Sequence, residues 1–288
     1  MTLIDRLRHD FPDASRQTLK RMVQNHRVMI NRTAALRLDQ TIMPQDRVTV
    51  DAETKKVKRQ PRLPFVIIHE DQDVLVIDKP PGLLTSTVPR EPRPTAIAAV
   101  REYLSLTDPT ARAGLIHRLD RDASGLLVFS KNNAAFDSLK KQFFHHSVSR
   151  FYHAIVSPVS KKTSGRIESF LVERADGSVH SARAAGRGQR AITTFDVAKR
   201  RGQFAFLRVK LHTGRKHQIR VHLSEFGSPV VGDPQYGGKP HKKGIMLAAV
   251  ELAFDHPRTG RRMVFAIPEN ADRVLAAFIA IGAESESL

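Results

Sequence analysis

Two carboxylates stand two residues apart in "HRLDRDASG" (117–125), between an apolar approach (Leu115, Ile116) and an apolar run over 126–129. Charge set against a strand-like segment suits either a salt-bridged turn or a reactive carboxylate that attacks or removes a proton. A second polar concentration, "TGRKHQIRVHL" (213–223), carries Arg215, Lys216, His217, Arg220 and His222. Its arginines suit RNA phosphate or a buried carboxylate. His212, His217 and His222 recur every five residues, not the four that stack two ligands on one helix face, and no carboxylate or thiolate completes a metal site. No metal is expected. Glycoside hydrolysis by Asp120 and Asp122 is disfavoured, because two residues of one short loop cannot flank opposite faces of a sugar. Tyr152 heads the apolar strand "RFYHAIV" (150–156), where a tyrosine by itself is usually a core or edge residue.

The elements that must position these groups fit within 288 residues, enough for one large domain or a large and a small one. Hydrophobic residues make up 41%, which permits a sizeable core. Lys and Arg number 47 against 29 Asp and Glu, a formal charge of +18, so the expected partner is a polyanion, nucleic acid before anionic membrane. Cysteine is absent, which excludes a thiolate site and a disulfide framework and fits a reducing compartment. "MTLIDRLRHDFPDAS" has no apolar core suited to a signal peptide, and the apolar "VLAAFIAIGA" (274–283) is about half a membrane span. The expectation is a cytoplasmic protein with no membrane association.

The first fifty residues read as a compact unit. Asp13 or Ser15 caps a helix through "RQTLKRMVQN", with Leu19, Met22 and Val23 on its apolar stripe and Arg16, Lys20 and Arg21 largely off it. "HRVMIN" alternates as a half-buried strand should, and "DRVTVD" (46–51) closes the unit. A basic helix followed by Arg27 and Arg32 makes a phosphate-binding face. The pattern resembles the S-four RNA-binding domain: Ser-Arg opening a basic helix, a Val-x-Ile-Asn strand, then Asp-x-Val-x-Val. Arg32 stands where that domain usually has glycine. Residues 53–64 read as a basic linker.

Beyond Phe65, strands are expected at "FVIIHED", "DVLVID", 126–130, 151–157, 192–198, 204–211 and 263–267, and helices at 94–105, 133–144, 217–226 and 271–282. Over residues 65–268 five segments occur in an order and spacing that resemble the RluA-type pseudouridine synthases. They are "DKPPGLL", "HRLDRDASG", "FYHA", "TGRKHQIRVHL" and "GDPQYG". Departures are Asp78 for asparagine, Ser86 and Ala248 where histidine is frequent, and Ala123 for threonine.

The resemblance implies roles residue by residue. Asp120 is the catalytic carboxylate and Arg220 its paired guanidinium. Tyr152 packs on the uracil, and Arg118 helps extrude the target nucleotide. Arg215 and His217 belong to substrate binding, and either Ile219 or Leu247 supplies the last apolar contact to the base. Asp122 is left as a turn-stabilising or solvent-facing carboxylate. In the first unit Arg16, Lys20, Arg21, Arg27 and Arg32 face RNA. The isomerisation involves no redox change, so no cofactor is expected. The expected fold class is α+β, with an S-four-like domain over 1–52, the linker over 53–64, and over 65–288 a mixed α/β catalytic domain built on a long, largely antiparallel sheet. The expected activity is conversion of uridine to pseudouridine in structured RNA, foremost large-subunit ribosomal RNA or its assembly intermediates, by a monomer. The alternative is a ribosome-assembly factor that keeps the fold with weak catalysis.

Overall fold

The computed structural model describes residues 1–24, 27–51, 63–87, 93–182 and 187–283. The chain divides into two compact units, Met1–Pro61 and Arg62–Leu288. Nearly all of the expected linker, residues 53–62, lies outside the described residues.

The first unit contains α1 (Leu3–Asp10), α2 (Arg16–Gln24), β1 (Val28–Ile30), β2 (Thr33–Ala34) and β3 (Val48–Val50), with β1 central in a three-stranded antiparallel sheet. Its core is Leu3, Leu7, Leu19, Val23, Val28, Ala35 and Ile42. Ser15, not Asp13, caps α2: its Oγ accepts the Thr18 N–H at 3.2 Å. The helix α1 was not anticipated from sequence, although Thr2 and Asp5 form a capping box and Leu3 and Leu7 lie one turn apart on its buried face. Asn31 and Arg32 form the two-residue loop between β1 and β2, and both have positive φ, 51° and 71°. That is the backbone of a type I′ hairpin turn, in which the second position favours glycine. Arg32 is held there because Asn31 is tied on both sides: its Nδ2 donates to Asp46 Oδ1 at 2.7 Å and its Oδ1 accepts the Arg47 N–H at 2.9 Å.

The second unit runs β4 (Val66–Glu70), β5 (Val74–Lys79), α3 (Ala96–Thr107), β6 (Gly114–Leu115), β7 (Ser124–Ser130), α4 (Asn133–Phe144), β8 (Ser149–Val156), β9 (Ser164–Glu173), β10 (Val179–Ser181), β11 (Gln189–Arg201), β12 (Phe204–Leu211), α5 (Gln218–Glu225), β13 (Leu247–Asp255), β14 (Arg262–Ala266) and α6 (Arg273–Ala283). Eleven strands form one sheet in the order β10-β9-β11-β12-β8-β13-β7-β5-β4, with β14 also on β13 and β6 on β7. The pairing is antiparallel except at one seam. There β7 meets β13 in parallel over two residue pairs, Ser124 with Ala248 and Gly125 with Ala249. Gly125 has φ +111°, and a Cβ added to it would lie 2.1 Å from the Ala249 carbonyl oxygen, so only glycine allows this approach.

Helices α3 and α5 cover one part of the sheet, contributing Ile97, Val100, Leu104, Ile219 and Leu223 to the largest apolar cluster. Leu139 of α4 and Val274, Ala277 and Phe278 of α6 pack in separate clusters. The apolar segment 274–283 is therefore a core-packing helix. Among the described residues no helix is long and apolar enough to cross a membrane.

Candidate active site

The two chemistry-bearing segments of the sequence meet in one cleft of about 800 Å³ in the second unit. Asp120 lies in the loop that enters β7, and Arg220 lies on α5. Both line the cleft with Arg118, Tyr152, Arg215, His217, Ile219 and Leu247. All eight site residues anticipated in the second unit thus share one cavity.

The loop carrying Asp120 is clamped on both sides of the aspartate. Before it, the buried Thr85 hydroxyl donates to the Leu119 carbonyl at 2.7 Å and accepts the Leu119 N–H at 3.1 Å. After it, the Arg121 carbonyl accepts from Lys79 Nζ at 3.0 Å and from the Gly82 N–H at 2.9 Å. Lys79 is fully buried at the end of β5, and its ammonium also donates to the carbonyls of Pro80 (2.9 Å) and Leu83 (2.8 Å). Burial pulls its pKa down to about 8, which still leaves it protonated at neutral pH. Asp122 is turned aside by a two-pronged pair with Arg121, at 2.8 and 2.7 Å.

Arg220 presents three of its nitrogens to acceptors. Nε and Nη2 grip Asp233 at 2.7 and 2.8 Å, Nη2 also meets Gln235 Oε1 at 2.9 Å, and Nη1 donates to Asp120 Oδ2 at 3.3 Å. The side chains of Arg220 and Asp233 are 7% and 1% exposed, whereas that of Asp120 retains 16%. The buried pair fixes the cation, and the more open carboxylate faces the cleft. The guanidinium carbon lies 4.8 Å from the ring centroid of Tyr236. His217 begins α5 with left-handed backbone (φ 54°), its Nδ1 2.7 Å from the Tyr236 hydroxyl and its Nε2 4.0 Å from Asp120 Oδ1. Burial lowers the His217 pKa first, opposed by the charge of Asp120. Burial likewise raises that of Tyr152, so the phenol keeps its proton at neutral pH.

The loop before α5 owes its shape to Gln218. Its Oε1 accepts from the Thr213 hydroxyl (2.8 Å) and the Arg215 N–H (3.0 Å), and its Nε2 donates to the Ile192 carbonyl (3.0 Å) and Thr193 Oγ1 (2.9 Å). A buried amide with all these groups satisfied is a rigid brace. The three histidines at five-residue spacing diverge: His212 meets Thr194, His217 meets Tyr236, and His222 meets Thr193 and Ser169. Metal-capable side chains converge in the described residues at Asp71, Asp73 and His256. There Arg258 grips Asp73 with two nitrogens at 2.8 Å, and the backbone of Asp73 and Val74 donates to Asp71, which makes it an ion-paired turn.

In the first unit Arg16, Lys20, Arg21 and Arg32 are exposed. Arg27 is half-buried, and its guanidinium donates to the Asp51 carbonyl at 3.1 and 3.3 Å. Sequence reasoning did not name Lys79, Thr85, Arg150, Gln218, Asp233 or Tyr236 as site residues. For Asp233 and Tyr236 the signal was present in "GDPQYG", and for Lys79 in "DKPPGLL".

Comparison with known proteins follows the same lines. The RNA pseudouridylate synthase family model matches residues 73–225. A Bacillus subtilis protein named uncharacterized RNA pseudouridine synthase YlyB is 36% identical over 266 residues, which cover 89% of this chain and 86% of that protein. The ribosomal large subunit pseudouridine synthase D of Escherichia coli K12 is 30% identical over 286 residues, 92% of this chain and 86% of that protein. In structure, human RNA pseudouridylate synthase domain containing 4 superposes with a TM-score of 0.61 at 22% identity, over 73% of this chain and 90% of that one, which is a likeness of fold. The chain belongs to the RNA pseudouridylate synthase family, in its RluA-type branch, and is an RNA uridine-to-pseudouridine isomerase.

Proposed function

We propose that the enzyme isomerises uridine in large-subunit ribosomal RNA, with Asp120 as its catalytic carboxylate. The observation that carries this reading is the carboxylate of Asp120 at the cleft, 3.3 Å from an arginine that Asp233 holds from behind. The reaction breaks the bond between ribose C1′ and uracil N1, turns the base, and joins C1′ to C5, whose proton is released. Asp120 serves the first step by attacking C1′ or by removing a neighbouring ribose proton. The guanidinium that Asp233 fixes holds the carboxylate in place at the cleft. Tyr152 packs on the uracil, with Ile219 and Leu247 closing the apolar side. Arg118, exposed at the cleft, offsets the unstacking cost of extruding the nucleotide.

The ribosomal substrate is supported by relatives named as large ribosomal subunit enzymes and by the charge of +18. The first unit acts as an S-four-like RNA-binding domain, its exposed arginines and Lys20 neutralising phosphates, which position the RNA without specifying the uridine. Tritium release from ribosomal RNA labelled at uracil C5 tests the reading. Wild type should release tritium; Asp120→Asn should lose release by at least about 1,000-fold while binding the RNA within a few-fold. Release by Asp120→Asn, or loss of binding in parallel, would overturn the assignment.

A further inference from the structure

The wall of the cleft made by the end of α4 and the start of β8 has features that the reaction at Asp120 leaves unused. Arg150 is only 8% exposed, yet its Nε is buried with no hydrogen-bond partner among the described residues. Among the described residues its electrostatic surroundings hold Tyr152, His117 and His146, and no carboxylate. Its guanidinium carbon lies 5.4 Å from the Phe143 ring centroid, and Nη1 packs so near Gly214 that a Cβ there would be 2.5 Å away. A cation so buried, with its Nε unpaired and no counter-charge among the described residues, is costly unless an anion binds it.

Beside it, Phe144 is 78% exposed at the rim of the same cleft. It differs from its neighbour: Phe143 turns inward and stacks on His117 with centroids 4.7 Å apart. The platform is stiff, because the helix end is closed by His145 N–H to Lys141 (2.9 Å), His146 N–H to Phe143 (3.3 Å) and Ser147 N–H to Gln142 (3.1 Å). Lys140 and Lys141 line the cleft on the same helix. An exposed aromatic ring among cations, next to a buried cation, has the chemistry of single-stranded nucleic acid binding, with a face for a base and a charge for its phosphate.

We propose that this wall is a second nucleotide subsite, in which Phe144 stacks on the base flanking the target uridine and Arg150 takes an oxygen of the phosphate between them. Arg150 and Tyr152, two residues apart, lie on the same face of β8, so the base pocket and the phosphate site are adjacent steps along one strand. The subsite rests on the catalytic reading above, since the nucleotide in the base pocket sets which neighbour reaches Phe144. A rigid, preformed stacking platform adds affinity with little ordering cost.

The test uses the full chain and a C5-tritiated transcript of large-subunit ribosomal RNA. Phe144 is exposed, so its substitution does not threaten the fold. Phe144→Ala should lower kcat/KM roughly 5- to 100-fold, carried by KM, and Phe144→Tyr should restore it. Arg150→Gln should flatten the slope of log Kd against log salt by about 0.7 to 0.9, the share of one phosphate, and Arg150→Lys should keep it. Turnover by wild type with an unchanged KM in Phe144→Ala would refute the subsite and leave the role of Asp120 intact. Absence of wild-type turnover would strike at the catalytic reading instead, and the salt slopes of the same variants would then decide the subsite alone.

Discussion

Arg220 and Asp233 form a two-pronged ion pair at 2.7 and 2.8 Å, so buried that Asp233 is 1% exposed. The pair leaves Nη1 as the nitrogen that meets Asp120, which makes Asp233 a positioning residue for the guanidinium. Asp233→Asn keeps the shape and removes the charge that aims Arg220. We expect kcat for tritium release to fall about 10- to 100-fold, and unfolding stability to fall by about 3 kcal/mol as a buried pair loses a partner. An unchanged kcat in a folded variant would mean that Arg220 finds Asp120 without help.

Thr85 holds the other side of the aspartate. Its hydroxyl both donates to and accepts from the Leu119 peptide, so Thr85→Val leaves a buried N–H and C=O unpaired, a loss of about 1–3 kcal/mol. The adjoining carboxylate should lose its aim, lowering kcat more than it changes KM, and Thr85→Ser should recover most of the loss. Equal kcat for Val and Ser variants would argue that the loop holds its shape without the hydroxyl.

His222 couples the fold to pH. It is fully buried between Thr193 and Ser169, and burial pushes its pKa down to about 4. An unfolded histidine titrates near 6.5, so between those values the unfolded chain binds the proton and the folded chain does not. This contribution is intact above about pH 6.5, is lost progressively as pH falls toward 4, and levels off below that. Urea unfolding at pH 7.5 and 4.5 should show about 2–3 kcal/mol of acid destabilisation from this residue. His222→Gln should remove that share of the slope, and an undiminished slope would assign the acid sensitivity elsewhere.

Arg32 trades stability for charge. Its φ of 71° is one that glycine adopts freely, so Arg32→Gly should stabilise the first unit by about 1 kcal/mol in denaturant. It should also weaken RNA binding and reduce its salt dependence by about one phosphate contact. A variant that gains stability with undiminished RNA affinity would exclude Arg32 from the RNA face.

How much of this was legible in the sequence depended on how local each feature is. The helix expected at 133–144 has those bounds, and those expected at 94–105 and 217–226 lie within two residues of α3 and α5. Their apolar periodicity and caps are short-range properties. In the second unit β6, β9, β10 and β13 escaped: β9 fully buries only Leu171, β6 and β10 have two and three residues, and β13 is buried along most of its length, without the alternation of a half-buried strand. The convergence of Asp120 and Arg220 in one cleft followed from motif resemblance, not from periodicity. Arg150 was invisible for a different reason. It is one of 47 Lys and Arg, and the packing of Gly214 over it comes from a segment far along the chain.

The two-rung parallel seam between β7 and β13 has a consequence for a chain still being made. Asp120 and Arg220 are 100 residues apart, and the strand that docks beside the Asp120 loop is later still, beginning at Leu247. A chain that has emerged only through α5 carries Asp120 on a loop beside an open strand edge, with no wall from Leu247 to close the cleft. Local folding cannot repair this, since contacts so far apart in sequence form only after the segments between them have been ordered. The cleft is therefore complete only once β13 has been made. Until then, RNA meeting the nascent protein finds a basic surface and an unfinished cleft.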